Sequence, residues 1–167
     1  VTFGSLVRGV HYWSANLLVL VVLLHTARVL LTAGHQGQRR FTWVLGAGLL
    51  LGVLASSFTG SPLPWDQLSY WAVTLSTGLP SYLPLGGVQL TRVVRGGPEI
   101  SDATLVNFYT LHTTIVPVVI LLLAAWHFWR VRRAGGVVVP PGGPDEPDEP
   151  DDPQKVMFWP HLLLREV

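Results

Sequence analysis

Three stretches of this chain are apolar for the length of a membrane crossing. The first, about residues 9–31, reads GVHYWSANLLVLVVLLHTARVLL, and between His11 and His25 only Ser14 and Asn16 interrupt the apolar run. The second, about 42–59, reads TWVLGAGLLLGVLASSFT and carries no charge. The third, about 104–129, reads TLVNFYTLHTTIVPVVILLLAAWHFW. At 1.5 Å per residue, about 20 such residues cross a hydrocarbon core of roughly 30 Å. The pattern predicts an all-α membrane protein, a transmembrane helical bundle with three spans in this chain.

The pattern changes between the spans and after them. Residues 60–103 hold five prolines and the aromatics Trp65, Tyr70, Trp71 and Tyr82. Proline excludes a continuous helix there, and Trp and Tyr favour the membrane–water boundary, so short interfacial helices are expected. In the third span Pro117 follows His112 by about a turn, where it frees a backbone carbonyl and is expected to bend the helix. Residues 135–154, dense in Pro, Gly and acid, read as a flexible linker that cannot bury enough apolar surface to order itself. Residues 155–167, KVMFWPHLLLREV, are too short to span. The divisions are therefore a membrane core at 1–134, the linker and this short segment.

Composition strengthens the membrane reading. The 167 residues are 49% hydrophobic and 13% charged, about half the charge of an ordinary soluble domain. With no cysteine, disulfides, iron–sulfur ligation and thioether attachment of a haem to this sequence are excluded. A net charge of +1 gives no reason to expect a nucleic-acid partner. The chain opens without Met and without a basic segment before a cleavage site, so no signal peptide is expected in it. Arg28, Arg39 and Arg40 flank the first connection, and Arg130, Arg132 and Arg133 follow the third span. With three spans these two clusters share a side, which the positive-inside rule makes cytoplasmic or its equivalent, leaving 60–103 outside.

The candidate chemistry lies in the histidines. His11 and His25 are fourteen apart, and fourteen residues rise about 21 Å and return to within roughly 40° of the starting face. His112 and His127, fifteen apart, repeat the arrangement on roughly one face. The first and third spans run the same way, so His11 pairs in depth with His112 near the outer side, and His25 with His127 near the inner side. One histidine in a membrane helix is explained by a hydrogen bond to a neighbour. Two depth-matched pairs fit two stacked haems better, each with an imidazole on either side. Zinc asks for four clustered donors. Gly46 and Gly60, also fourteen apart, would let another backbone or a flat ligand approach the second span.

Arg8 and Arg28 each lie one turn beyond a histidine towards water, where a guanidinium pairs with haem propionates or simply snorkels. Asp66 and Gln67 would line a quinone pocket or serve packing, and packing is the reading the residues favour alone. Glu99 reads as a solvated loop acid. His35 and His161, outside the spans, are given no ligand role. No residue is assigned as catalytic.

These residues resemble the cytochrome b family of quinol-oxidising bc and b6f complexes. The resemblance is carried by LVRGVHYWSANLLVLVVLLHTARV, TWVLGAGLLLGVLASSFTGSPLPWDQLSYWAV and ISDATLVNFYTLHTTIVP, on to AWHFWR, and covers about Phe3 to Arg133. The fourteen-and-fifteen spacing is similar to the b6 branch, whereas GGPEISDATLVNFYTLH is also similar to the bc type. Tyr12 and Asn107 depart from the pattern, standing where the family has arginine.

The resemblance implies two b haems, a low-potential one on His11 and His112 and a high-potential one on His25 and His127. It implies Arg8 and Arg28 near the propionates and Gly46 and Gly60 against the haems. It also implies quinone as substrate, a further spanning helix ahead of Val1, and the cysteine of an additional covalent haem, in the b6f branch, on that helix. Residues 155–167 are similar to the start of the family's C-terminal half. The partners implied are that half as a subunit IV-like chain, a Rieske-type iron–sulfur protein and a c-type cytochrome, in a dimeric complex. The chain is then the electron-carrying subunit of a quinol:cytochrome c, or plastocyanin-type, oxidoreductase, expected in a bacterial inner membrane rather than a thylakoid-type one. Two rivals are a dihaem anchor passing electrons from a dehydrogenase or hydrogenase to quinone, and a haem-free scaffold or transporter subunit.

Overall fold

The computed structural model describes residues 2–32 and 39–134. His35, His161, the acidic linker and the C-terminal segment lie outside them. Six α-helices follow in order, α1 (Gly4–Leu31), α2 (Arg40–Gly60), α3 (Gln67–Gly78), α4 (Gly87–Arg95), α5 (Asp102–Thr110) and α6 (Val116–Arg133). A 3₁₀ turn, Leu79–Tyr82, joins α3 to α4, and a π turn, Leu111–Ile115, joins α5 to α6 without a break. The described residues thus contain three helices long and apolar enough to cross a membrane, Gly4–Leu31, Arg40–Gly60 and Asp102–Arg133. The first begins ahead of Gly9, because nothing in GSLVR stops a helix once the apolar run has nucleated it.

α2 is the middle of the bundle and packs on both α1 and α6. Thr42, Leu45, Val53 and Thr59 of α2 are buried, whereas α1 buries no residue at all. Small residues explain why α2 and α6 approach closely: Ile120 lies where a Cβ on Gly52 would be, 3.0 Å from that position, and Leu123 is 3.8 Å from the same point on Gly48. Beside the π turn the two helices part, leaving an apolar groove of about 280 Å³ between Gly52, Ala55, Ile115 and Val119. Most remaining apolar side chains on α1 and α6 point outward, as they do when the surrounding medium is itself apolar.

The connection from α2 to α5 is a cap built from hydrogen bonds. Asp66 is the N-cap of α3, its Oδ1 accepting from the Ser69 backbone N–H at 2.8 Å and the Ser69 hydroxyl at 2.7 Å. Gln67 accepts from the Trp71 indole N–H at 3.1 Å. Both polar residues of this stretch thus take part in shaping α3. Arg95, at the end of α4, donates from Nε to Thr77 Oγ1 (2.7 Å) and from Nη2 to the Thr74 carbonyl (3.2 Å), tying α4 to α3. Its own carbonyl accepts from the fully buried Thr104 of α5 at 2.7 Å. Asn107 donates to the Val93 and Val94 carbonyls at 3.2 and 3.3 Å, satisfying the exposed end of α4, while Gly96 closes that end at φ 76°. Phe108 fills the space beneath, with no exposed surface and its ring 5.8 Å from that of Phe58 on α2. The cap is thus seated on the end of the bundle from which α2 leaves and α5 enters.

The two hydrogen bonds from Ser69 hold the Asp66 carboxyl below its ordinary value of 3.8. A depressed acid contributes stability above its unfolded value and loses it as pH falls through the folded one. Asp66→Ala should accordingly lower the thermal stability of the detergent-solubilised protein at pH 7, and by progressively less as the pH is taken below about 3.8. Circular dichroism melts across that range provide the measurement, and an Asp66→Ala deficit that does not shrink on acidification would count against the cap.

Candidate functional site

α2 runs antiparallel to both its neighbours, so its two ends face two different levels of the bundle. Near its start, a Cβ built on Gly46 would lie 3.2 Å from His127 Cε1. Near its end, a Cβ on Gly60 would lie 2.5 Å from His112 Cε1 and 2.9 Å from its Nδ1. The Arg39 side chain donates to the Ala134 carbonyl at 3.1 Å, closing the His127 end. Arg130 lies over Phe41 at 5.3 Å and Phe41 packs on Trp126, making that end both cationic and aromatic.

α1 supplies the opposite imidazoles. The ring centroids of His11 and His112 are 6.0 Å apart with their planes at 84°. His25 is close enough to His127 for their charges to interact. The four histidines therefore form two pairs, one at each end of α2, each with a glycine of α2 beside the α6 member. The His11–His112 pair is a ring contact, whereas His25 and His127 share a level near enough to interact electrostatically.

The equality of the two levels depends on the π turn. Fifteen α-helical residues at about 100° each end roughly 60° past a whole number of turns, whereas fourteen end roughly 40° short. On a straight α-helix His112 and His127 would consequently diverge from the face His11 and His25 share by about 100°. A π turn accommodates one extra residue within a single turn, so fifteen residues turn and rise like fourteen. The turn falls on Leu111–Ile115, with His112 inside it and Pro117, which has no N–H to donate, just after. Just before Pro117, where the sequence implied a bend, the structure has a π turn that corrects the register. The spacing alone hinted at it, through the one-residue difference between the two intervals.

The second nitrogen of each α6 histidine is treated differently. His112 Nδ1 lies 3.0 Å from the Ser56 carbonyl. A carbonyl only accepts, so Nδ1 carries the proton and Nε2 keeps a free lone pair. His127 Nδ1 is buried and makes no hydrogen bond of normal geometry; the Thr42 backbone is its polar neighbour. Of the other singled-out residues, Arg8 and Arg28 are exposed on α1, one turn beyond His11 and His25 in opposite directions. Glu99 is exposed, and Tyr12 stacks edge-on against Trp13. Neither Asn107, which closes α4, nor Tyr12 faces a histidine pair in these contacts. Ser56 and Thr59 were missed by the sequence reading because nothing in an apolar helix distinguishes a hydroxyl residue that bonds its own backbone from one beside a ligand.

Among the described residues no three His, Cys, Asp or Glu side chains converge on one point. The donor sets are pairs of imidazoles, which suits an iron whose other four positions are filled by a porphyrin. The 6.0 Å between the His11 and His112 ring centroids would let both imidazoles reach one iron between them. At Gly46 and Gly60 a side chain would run into the His127 and His112 rings, so glycine lets those imidazoles lie against α2.

Two expectations follow for haem retention in the purified protein. If the histidine pairs hold haem, Gly60→Ala should abolish the component at His112, whereas Gly46→Ala, where the neighbour needs to give only a few tenths of an ångström, should only weaken the one at His127; equal effects would contradict this difference in room. Deleting Thr114 should convert the π turn to α-helix and preserve both haems. Deleting Leu18 from α1, which has no such turn, should rotate His11 about 100° from His25 and cost a haem, as counted by pyridine haemochrome.

Comparison with known proteins places this arrangement. The family model for cytochrome b/b6/petB matches residues 1–135. Cytochrome b6 of Synechococcus sp. (strain JA-3-3Ab) is 46% identical over 137 residues, covering 81% of this chain and 63% of the relative. Cytochrome b6 of Porphyra purpurea is 44% identical over the same shares, and that of Synechocystis sp. (strain ATCC 27184 / PCC 6803 / Kazusa) is 43% identical over 81% of this chain and 61% of its own. The chain thus spans a little under two thirds of the length of these curated relatives. On the family match and these identities, with three membrane-length helices and two histidine pairs in register, the chain belongs to the cytochrome b/b6 family.

Proposed function

We propose that this chain is the haem-bearing core of a cytochrome b subunit in a quinol-oxidising complex of an energised membrane. The observation that carries the reading is the pairing itself: His11 with His112 and His25 with His127, at opposite ends of α2, with Gly60 and Gly46 beside them. His11 and His112 hold one b haem and His25 and His127 the other, about 21 Å apart along the helix axes. When bound, the haems supply one-electron uptake and release at two depths, which amounts to a transmembrane electron path.

The chain's residues supply the setting for that path. Ser56 fixes the protonated nitrogen of His112, so its other nitrogen meets the iron. Apolar residues of α1, α2 and α6 exclude water from both levels. Arg8 and Arg28, one turn outside each level, carry the propionates. The basic end of the bundle, with Arg39, Arg130, Arg132 and Arg133, is the inner side by the positive-inside rule. Quinol is oxidised near the other end, where the α3–α4 cap lies, with a subunit IV-like chain, a Rieske-type protein and a c-type cytochrome completing the complex. A bacterial inner membrane is the proposed location.

A reduced-minus-oxidised spectrum of the purified protein should show a b-type α-band with two components. His25→Ala should remove one component and leave the other. Absence of the band, or survival of both components in His25→Ala, would sink the reading.

A further inference from the structure

The two histidines of the third span differ in what stands behind them, and the difference centres on Thr59. Thr59 is buried in α2, 6% exposed, and its Oγ1 lies 3.4 Å from His112 Nδ1. Its single hydroxyl proton is directed at the Ala55 carbonyl, 2.8 Å away, one turn back in the helix. The oxygen lone pairs are thereby left to accept. His112 Nδ1, already bound to the Ser56 carbonyl at 3.0 Å, accordingly has a second acceptor in Thr59. At the equivalent level the Thr42 backbone is the polar neighbour of His127 Nδ1, and Leu45, fourteen residues before Thr59, offers no hydroxyl.

We infer that Thr59 is a positioning residue that fixes His112 as a ligand and makes it the more electron-donating of the two third-span histidines. A partner accepting from the distal N–H of a metal-bound imidazole fixes its tautomer and raises its basicity. A more basic ligand stabilises the oxidised iron, so the centre held by His112 is harder to reduce than it would be without the hydroxyl. The Ser56 carbonyl contributes in the same sense and is the shorter contact. Thr59 is therefore the lesser of two acceptors, but it is the one that side-chain substitution can remove. The inference rests on the proposed haem-binding reading.

The test uses the intact purified protein and compares Thr59→Val, which keeps the shape and loses the acceptor, with Thr59→Ser, which keeps the acceptor. The centre held by His112 is identified as the component lost in His112→Ala. Redox titration of the α-band should show that in Thr59→Val the reduced-to-oxidised ratio of this centre, at a fixed ambient potential, rises about threefold to tenfold. At 59 mV per decade for one electron this is a positive shift of roughly 30–60 mV. Thr59→Ser should titrate as the parent, and the centre held by His127 should not move. Low-temperature electron paramagnetic resonance should show a changed g-anisotropy for the His112 centre alone. If Thr59→Val does not retain the haem, Thr59→Ala against Thr59→Ser reads the same difference. An unmoved His112 centre in Thr59→Val, an equal shift in Thr59→Ser, or an equal shift of both centres would overturn the inference while leaving haem binding intact. A parent protein with no b-type band would remove the haem reading itself.

Discussion

The site depends on one steric constraint, the approach of the α2 backbone to the imidazoles of the third span. At Gly60 there is no room for even a methyl group beside His112, and at Gly46 a methyl would fit only if His127 yielded slightly. Bringing a helix that close to a ring is favourable inside a membrane, where apolar burial does not drive helices together and dispersion between closely matched surfaces does. Gly48 and Gly52 extend the same close packing along α2, against Leu123 and Ile120. The glycines therefore do two things at once: they set the distance between α2 and α6, and they leave room for the imidazoles of the third span against α2.

That distance would be useless without matched depth, which the π turn supplies. A π turn is a costly local choice, since it gives up the better-aligned α-helical bonds of one turn. It falls where Pro117 has already removed one donor from the ladder, so part of that loss is incurred whichever way the backbone turns. The polar cap built by Arg95, Thr104 and Asn107 then anchors α5, directly ahead of the turn, to α3 and α4. With α5 held and α6 packed along α2, the position of His112 is fixed from both sides of the irregular turn.

The two levels are alike in ligands and unlike in surroundings. His112 has a backbone carbonyl and a hydroxyl behind it; His127 has only the Thr42 backbone as polar neighbour, at the basic, aromatic end of the bundle. Under the proposed function, two centres on identical histidine pairs would gain no difference in electron affinity from their ligands. The difference has to come from what lies one contact further out.

Much of this was legible in the sequence. Long apolar runs fix the number of spans because hydrocarbon leaves the backbone no other way to satisfy its polar groups. The intervals between histidines fix their pairing because a helix converts count into angle and rise. The glycine interval marked α2 as the helix that approaches them. The functions of Asp66 and Asn107 were not legible in the same sense: a cap is defined by which orphaned donors and carbonyls happen to lie within reach, and those belong partly to other helices. Nor was the π turn, since whether fifteen residues wind as fifteen or as fourteen is decided by packing and not by any residue's own preference. The sequence by itself determined which groups could bind and at what depths, through the regular geometry of helices. Only the tertiary structure decided how the two levels align and how they differ, because alignment and hydrogen bonding across helices depend on distances between chain segments more than fifty residues apart.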